Sequence, residues 1–149
     1  MDKTSVLVIN GPNLNMLGQR EPDQYGKMTL EDICRKIKAH GEQKHIPVDF
    51  FQSNSEGELV NRIQDAPGRF SGIILNAGAY SHTSIAIRDA VSTISVPVIE
   101  VHISNVYNRE GFRHHSYLAP VCAGSIVGFG YLSYILALEY FALSCQPRH

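Results

Sequence analysis

The run Val6-Leu7-Val8-Ile9 is apolar at every position, with none of the alternation of a strand that keeps one face in water. Strands of this kind are covered on both faces of their sheet. The pattern returns at Gly72-Ile73-Ile74-Leu75-Asn76 and in Pro97-Val98-Ile99-Glu100-Val101-His102-Ile103, where Pro stands first and so costs no ladder bond. Helical spacing fills the intervals. Thr29 is a good N-cap with Asp32 three residues on, and Leu30, Ile33, Cys34 and Ile37 share one face before Gly41 and Pro47. Leu59, Val60 and Ile63 mark a second helix ending near Pro67-Gly68, and Ile87, Ala90, Val91 and Ile94 a third from about Thr83. Shorter strands are expected at Val48 to Gln52 and Ser125 to Phe129, and a last helix from Tyr131 to Leu143.

Strands alternating with helices in this rhythm predict an α/β fold in three layers, a parallel sheet covered on both sides with right-handed crossovers. Five such units in 149 residues fit the flavodoxin-like strand order 2-1-3-4-5, with residues 1–149 forming a single catalytic domain. Sheets of this kind bind ligands beyond the carboxyl ends of their strands, at the switch point between the first and third. This chain loads that edge with polar residues. About eighteen residues separate the first strand from the helix at Thr29, where about two to six are usual, and a connection of that length suggests a lid or binding loop. Arg20 and Tyr25 lie in it among three Asn, two Pro and three Gly.

Glu100 and His102, two apart on an otherwise apolar strand, point to the same face. A buried charge costs several kcal/mol (about that order) unless paired, so Glu100 is expected to meet either His102 or Arg20. A carboxylate beside an imidazole fixes its tautomer and raises its basicity, as a general acid requires. The other reading of the pair is an edge strand with one polar face.

Composition removes several classes. A net charge of -1 with no block of like charge gives no footprint for nucleic acid or an anionic membrane. Cys34, Cys122 and Cys145 are widely spaced and form no CxxC pair, which argues against a zinc site or a disulfide framework and for a reducing, cytoplasmic compartment. No apolar run reaches the length of a membrane span, and the opening residues do not read as an export signal.

Three motifs in order, Asn10-Gly11-Pro12-Asn13-Leu14-Asn15 through Arg20 to Tyr25-Gly26, Asn76-Ala77-Gly78-Ala79-Tyr80-Ser81-His82, and Glu100-Val101-His102-Ile103-Ser104-Asn105 through Arg109 to Arg113-His114-His115-Ser116, resemble type II 3-dehydroquinate dehydratase. Departures are slight: Met16 stands where an aliphatic is common in that family, and Ala119 where a Ser is common. The resemblance implies a cofactor-free anti elimination of water from 3-dehydroquinate through an enolate, with neither a metal nor a Schiff base. In that scheme Tyr25 removes the proton alpha to the ketone with Arg20 favouring its phenolate, Asn13 and a water stabilise the enolate, and His102, oriented by Glu100, protonates the departing hydroxyl. Substrate contacts carried over in the same way are the amides of Ile103 and Ser104 and the side chains of Asn76, His82 and Arg113. The resemblance further implies a dodecamer made of trimers, with Asp89 reaching a neighbouring subunit's site. From the residues alone, Asp89 reads equally as a solvated helix face and Asn76 as a turn residue, while His114 and His115 read as structural or interface residues.

Other classes fit less well. A signalling receiver domain needs an acceptor Asp at the end of the third strand, where this chain has Asn76. A flavin or nucleotide module wants a phosphate cradle after the first strand, and neither GxGxxG nor GxxxxGK[ST] occurs there. A metal-dependent hydrolase using His82, Glu100 and His102 is the better enzyme alternative, since those are legitimate ligand types.

Overall fold

A computed structural model describes residues 4–19 and 27–144. Arg20, Tyr25 and Cys145 lie outside the described residues. Five strands, β1 (Val6–Asn10), β2 (Val48–Gln52), β3 (Gly72–Asn76), β4 (Val98–His102) and β5 (Gly124–Val127), form one parallel sheet in the order β2-β1-β3-β4-β5. The strand order read from the sequence is the one observed. β4 lies between β3 and β5 and all five of its residues are buried, so Glu100 and His102 do not sit on an edge strand.

Alternate residues of the sheet feed two separate cores. Val6, Val8, Ile74, Ile99 and Val101 pack under α1 (Leu30–Gln43) and α4 (Leu132–Ser144). Leu7, Ile9, Ile73, Leu75 and Val98 pack under α2 (Glu56–Asp65) and α3 (Ile85–Thr93). Each fully buried aliphatic contributes about 1.5–3 kcal/mol relative to exposure, which is why β1 and β3 carry no polar residue until their last positions, while β4 admits Glu100 at its middle. Gly72 is where β3 lets α4 approach: a Cβ there would meet the Phe141 ring at 2.3 Å.

The helix ends obey local chemistry. At α1 the Thr29 hydroxyl accepts the Asp32 N–H and the Asp32 carboxylate accepts the Thr29 N–H, the reciprocal cap its sequence announced. α3 begins one cap later than expected, because Ser84 rather than Thr83 takes the free amide of Ile87 at 2.9 Å, while Thr83 closes the 3-10 turn Gly78–His82. β5 is also displaced from the expected Ser125 to Phe129. Gly128, at φ 98, turns the backbone out of the strand and gives its N–H to the His102 carbonyl at 3.0 Å. The long connection after β4 is not featureless, and contains the 3-10 turns Val106–Asn108, Gly111–Arg113 and Ala119–Val121.

Register decides what meets at the carboxyl edge. Gln52, Asn10 and Asn76 stand level across β2, β1 and β3, and Glu100 stands level with Ser125 across β4 and β5.

Candidate active site

Beyond these strand ends lies a cleft of about 170 Å3, lined by the loops after β1, β3 and β4. Asn13, Asn76, His82, His102, Ile103, Ser104 and Arg113, all named from the sequence, line it, and so does Arg109, to which the sequence assigned no role. Glu100 stands behind His102. Asp89 is exposed on α3 and is not part of the cleft wall formed by this chain.

The loops after β1 and β3 are locked together where they enter the cleft. Gly11 donates to the Asn76 carbonyl at 2.7 Å, and a Cβ on Gly11 would lie 2.6 Å from the Ala77 oxygen, a contact no other residue type tolerates. Beneath them a buried relay fixes the side chains at the ends of both strands. Asn76 Nδ2 donates to the Tyr134 hydroxyl at 2.9 Å, and that hydroxyl donates to Asn10 Oδ1 at 2.6 Å. Asn76 Oδ1 accepts the Gly78 N–H at 3.1 Å. With its oxygen and one N–H committed, Asn76 has one N–H left for a ligand. Burial pushes the Tyr134 phenol well above its ordinary range, so it remains a neutral donor.

Glu100 is 1% exposed and receives three donors. Its Oε2 accepts from His102 Nε2 at 2.9 Å and from Ser116 Oγ at 2.6 Å, and its Oε1 accepts from Ser125 Oγ at 2.9 Å. Burial works to raise the carboxyl pKa, but the hydrogen bond and charge of His102 and the two serine hydroxyls outweigh it and hold Glu100 below its ordinary value. An ionised Glu100 holds the Nε2–H of His102 and leaves Nδ1 as the nitrogen that can carry the proton a general acid gives up. Ser116 Oγ also accepts the N–H groups of Leu118 and Ala119, each at 3.1 Å, so the dyad is tied to the loop that carries Arg109 and Arg113.

His82 is set by the residue next to Ser116. Its Nδ1 donates to the His115 carbonyl at 2.8 Å, and its ring stacks on His102 with centroids 6.1 Å apart. Burial is the largest influence lowering the His82 pKa from its ordinary value, with smaller charge contributions from His102 and Arg113. The residue pair 115 and 116 therefore bears on both cleft histidines, on His82 directly through the His115 carbonyl and on His102 through the Ser116 hydroxyl bonded to Glu100. Arg113 Nε donates to Glu110 Oε2 at 2.7 Å, which leaves the rest of its guanidinium fork for an anion. The N–H groups of Ile103 and Ser104, just past the end of β4, have no hydrogen-bond partner among the described residues, a pair of donors suited to a carboxylate. His82, Glu100 and His102 do not gather as a metal-ligand set, and among the described residues no group of three or more His, Cys, Asp or Glu does. No described helix is long and apolar enough to cross a membrane.

One expectation concerns acid. Because Glu100 is held below its ordinary value of 4.5, the unfolded chain takes up that proton first as pH falls. The stability Glu100 contributes is thus complete above about pH 4.5 and declines as pH drops through the lower folded value. Denaturant titrations from neutral pH down to about pH 3 should show this loss, and Glu100→Gln should flatten it.

An α/β sheet with an amide-lined cleft at its switch point, a buried carboxylate–imidazole pair and adjacent cations describes an enzyme that moves protons on a small anionic substrate. Residues 4–142 match the family Dehydroquinase class II, and the chain belongs to that family. It is 59% identical over 133 residues to 3-dehydroquinate dehydratase of Campylobacter lari, covering 89% of this chain and 83% of the relative. It is 52% identical over 144 residues to the catabolic 3-dehydroquinase of Aspergillus clavatus, covering 97% and 96%. The crystal structure of type II dehydroquinase from Butyrivibrio crossotus superposes with a TM-score of 0.91 at 48% identity, covering 93% of this chain and 97% of that one.

Proposed function

We propose that the chain is a 3-dehydroquinate dehydratase, a hydro-lyase that removes water from 3-dehydroquinate to give 3-dehydroshikimate without a cofactor. The buried Glu100–His102 pair at the cleft wall, beside the two unclaimed amides of Ile103 and Ser104, is the observation that carries this reading. Tyr25, favoured as phenolate by Arg20, takes the proton alpha to the ketone. The electrons move onto the carbonyl oxygen, where Asn13 and a water stabilise the enolate. As the enolate collapses, the C1–O bond breaks and His102 gives the departing hydroxyl a proton, so one water leaves and a conjugated enone remains. The Ile103 and Ser104 amides hold the carboxylate, with Asn76, His82 and Arg113 on the carboxylate and the ring hydroxyls. The same reaction serves aromatic biosynthesis and quinate breakdown.

The test is an absorbance assay for the enone. A rise with purified protein and 3-dehydroquinate, undiminished by chelator and by borohydride, is expected. No rise overturns the reading, and loss of activity with chelator or borohydride overturns its cofactor-free mechanism.

Residues 1–149 form a single catalytic domain in this reading, working in the cytoplasm as a dodecamer made of trimers. Leu132, Leu136, Tyr140 and Leu143 of α4 are 42–73% exposed, and apolar surface of that size supports assembly. Asp89, outside its own chain's cleft, is assigned to a neighbour's site. Light scattering should report about twelve subunits, and Asp89→Ala should lower turnover even in intact assemblies. A fully active monomer, or unchanged Asp89→Ala kinetics, removes the respective assignment.

A further inference from the structure

The elimination scheme draws on β1, β3 and β4, but the edge strand β2 also ends in polar residues that reach the same loops. Gln52 Nε2 donates to the Gly11 carbonyl at 3.1 Å and to Asn54 Oδ1 at 3.3 Å. Asn54 Oδ1 in turn accepts the backbone N–H of Asn13 at 3.0 Å, and the Asn54 carbonyl accepts the Tyr80 hydroxyl at 2.9 Å. One residue therefore bonds both the loop after β1 and the loop after β3.

What Asn54 holds is unusual. Asn13 has φ 70 and ψ -6, and among the described residues only His45 shares a positive φ without being glycine. The left-handed region costs an L-residue about 1–2 kcal/mol, less for Asn when a local hydrogen bond helps. That help does not come from Asn13 itself, whose side chain does not cap the 3-10 turn Leu14–Met16 that it opens. Its carboxamide is left for the cleft. Upstream, Gly11 is immobilised against Ala77. Downstream, the Met16 N–H bonds the Asn13 carbonyl at 3.0 Å. The Asn13 N–H is the point between those anchors where the conformation is fixed, and Asn54 occupies it.

We propose that Asn54 is a positioning residue for the elimination: its side-chain oxygen, braced by Gln52, holds Asn13 in the left-handed conformation that presents the Asn13 carboxamide to the enolate. This rests on the functional reading above, in which Asn13 meets charge that exists only after proton abstraction. Misplacing Asn13 therefore lowers kcat and leaves KM nearly unchanged.

The experiment is a kinetic double-mutant cycle with 3-dehydroquinate, with thermal unfolding of each variant alongside. Asn54→Ala should lose about 10- to 100-fold in kcat at near wild-type KM. In an Asn13→Ala background it should cost nothing further, because both act through one contact. Asn54→Asp keeps the acceptor for the Asn13 and Gln52 donors and should retain most of the turnover, which supplies the comparison if Asn54→Ala does not fold. Near wild-type kcat for Asn54→Ala, losses that multiply in the double variant, or Asn54→Asp as impaired as Asn54→Ala would each overturn the assignment. A wild-type chain inactive on 3-dehydroquinate overturns the functional reading and this inference with it, whereas an active wild type beside an indifferent Asn54→Ala overturns this inference alone.

Discussion

Tyr25→Phe should bind 3-dehydroquinate and turn it over at less than about one hundredth of the wild-type rate, the low end of what a positioned base contributes. The substitution removes the only proton acceptor on the ring and keeps its shape, so KM should change far less than kcat. A free phenol ionises near pH ~10, and making it a base at neutral pH takes about 4 kcal/mol of differential stabilisation. Arg20, five residues earlier in the chain, is the permanent cation assigned to supply it, with water excluded when substrate is bound. Arg20→Ala should lose turnover by the same route, and Arg20→Lys should recover little, because an ammonium does not reproduce the planar fork. Since both residues act through one phenolate, the double variant should be scarcely slower than Tyr25→Phe alone. A Tyr25→Phe enzyme with near-normal kcat would falsify the proposed base.

His102→Ala should cut kcat by about 10² to 10⁴. Removing the imidazole also leaves the Glu100 carboxylate buried with two serine donors and without its His102 partner, and breaking such a pair costs about 3–5 kcal/mol. Stability and turnover therefore fall together, and the folded fraction must be measured to separate them. Denaturant unfolding at neutral pH gives the first quantity, and kcat per folded site gives the second. If kcat per folded site stays near wild type, His102 is structural only.

Much of the sheet was legible because burial on both faces leaves a local mark: Val6-Leu7-Val8-Ile9 and Gly72-Ile73-Ile74-Leu75 admit no polar residue. The Glu100–His102 pair was legible for a related reason, since residues two apart share a face and a buried carboxylate calls for a partner, read as His102 or Arg20, and the structure places His102 on it. The end of β5 was not, because the conformation of Gly128 depends on the His102 carbonyl across the sheet. Ser125 and Ser116 complete the carboxylate shell from 25 and 16 residues away, and neither carries a local pattern that distinguishes it from a surface serine. Asn54 and Tyr134 are further cases. Their bonds to Asn13 and Asn10 span 41 and 124 residues, and periodicity within an element says nothing about such partners. The motif resemblance named the residues expected to touch substrate and, apart from Glu100, passed over those that hold them.

Tyr134 bears on the order in which the enzyme is made. Asn10 leaves the ribosome before Asn76, and the hydroxyl that joins them belongs to α4, the last of the described helices. A nascent polypeptide arrested before residue 134 can lay β1 beside β2 and β3, yet the two asparagines at their ends have no shared partner. Closure of the catalytic edge thus waits for the synthesis of α4, and the enzyme is expected to gain activity only when that helix docks.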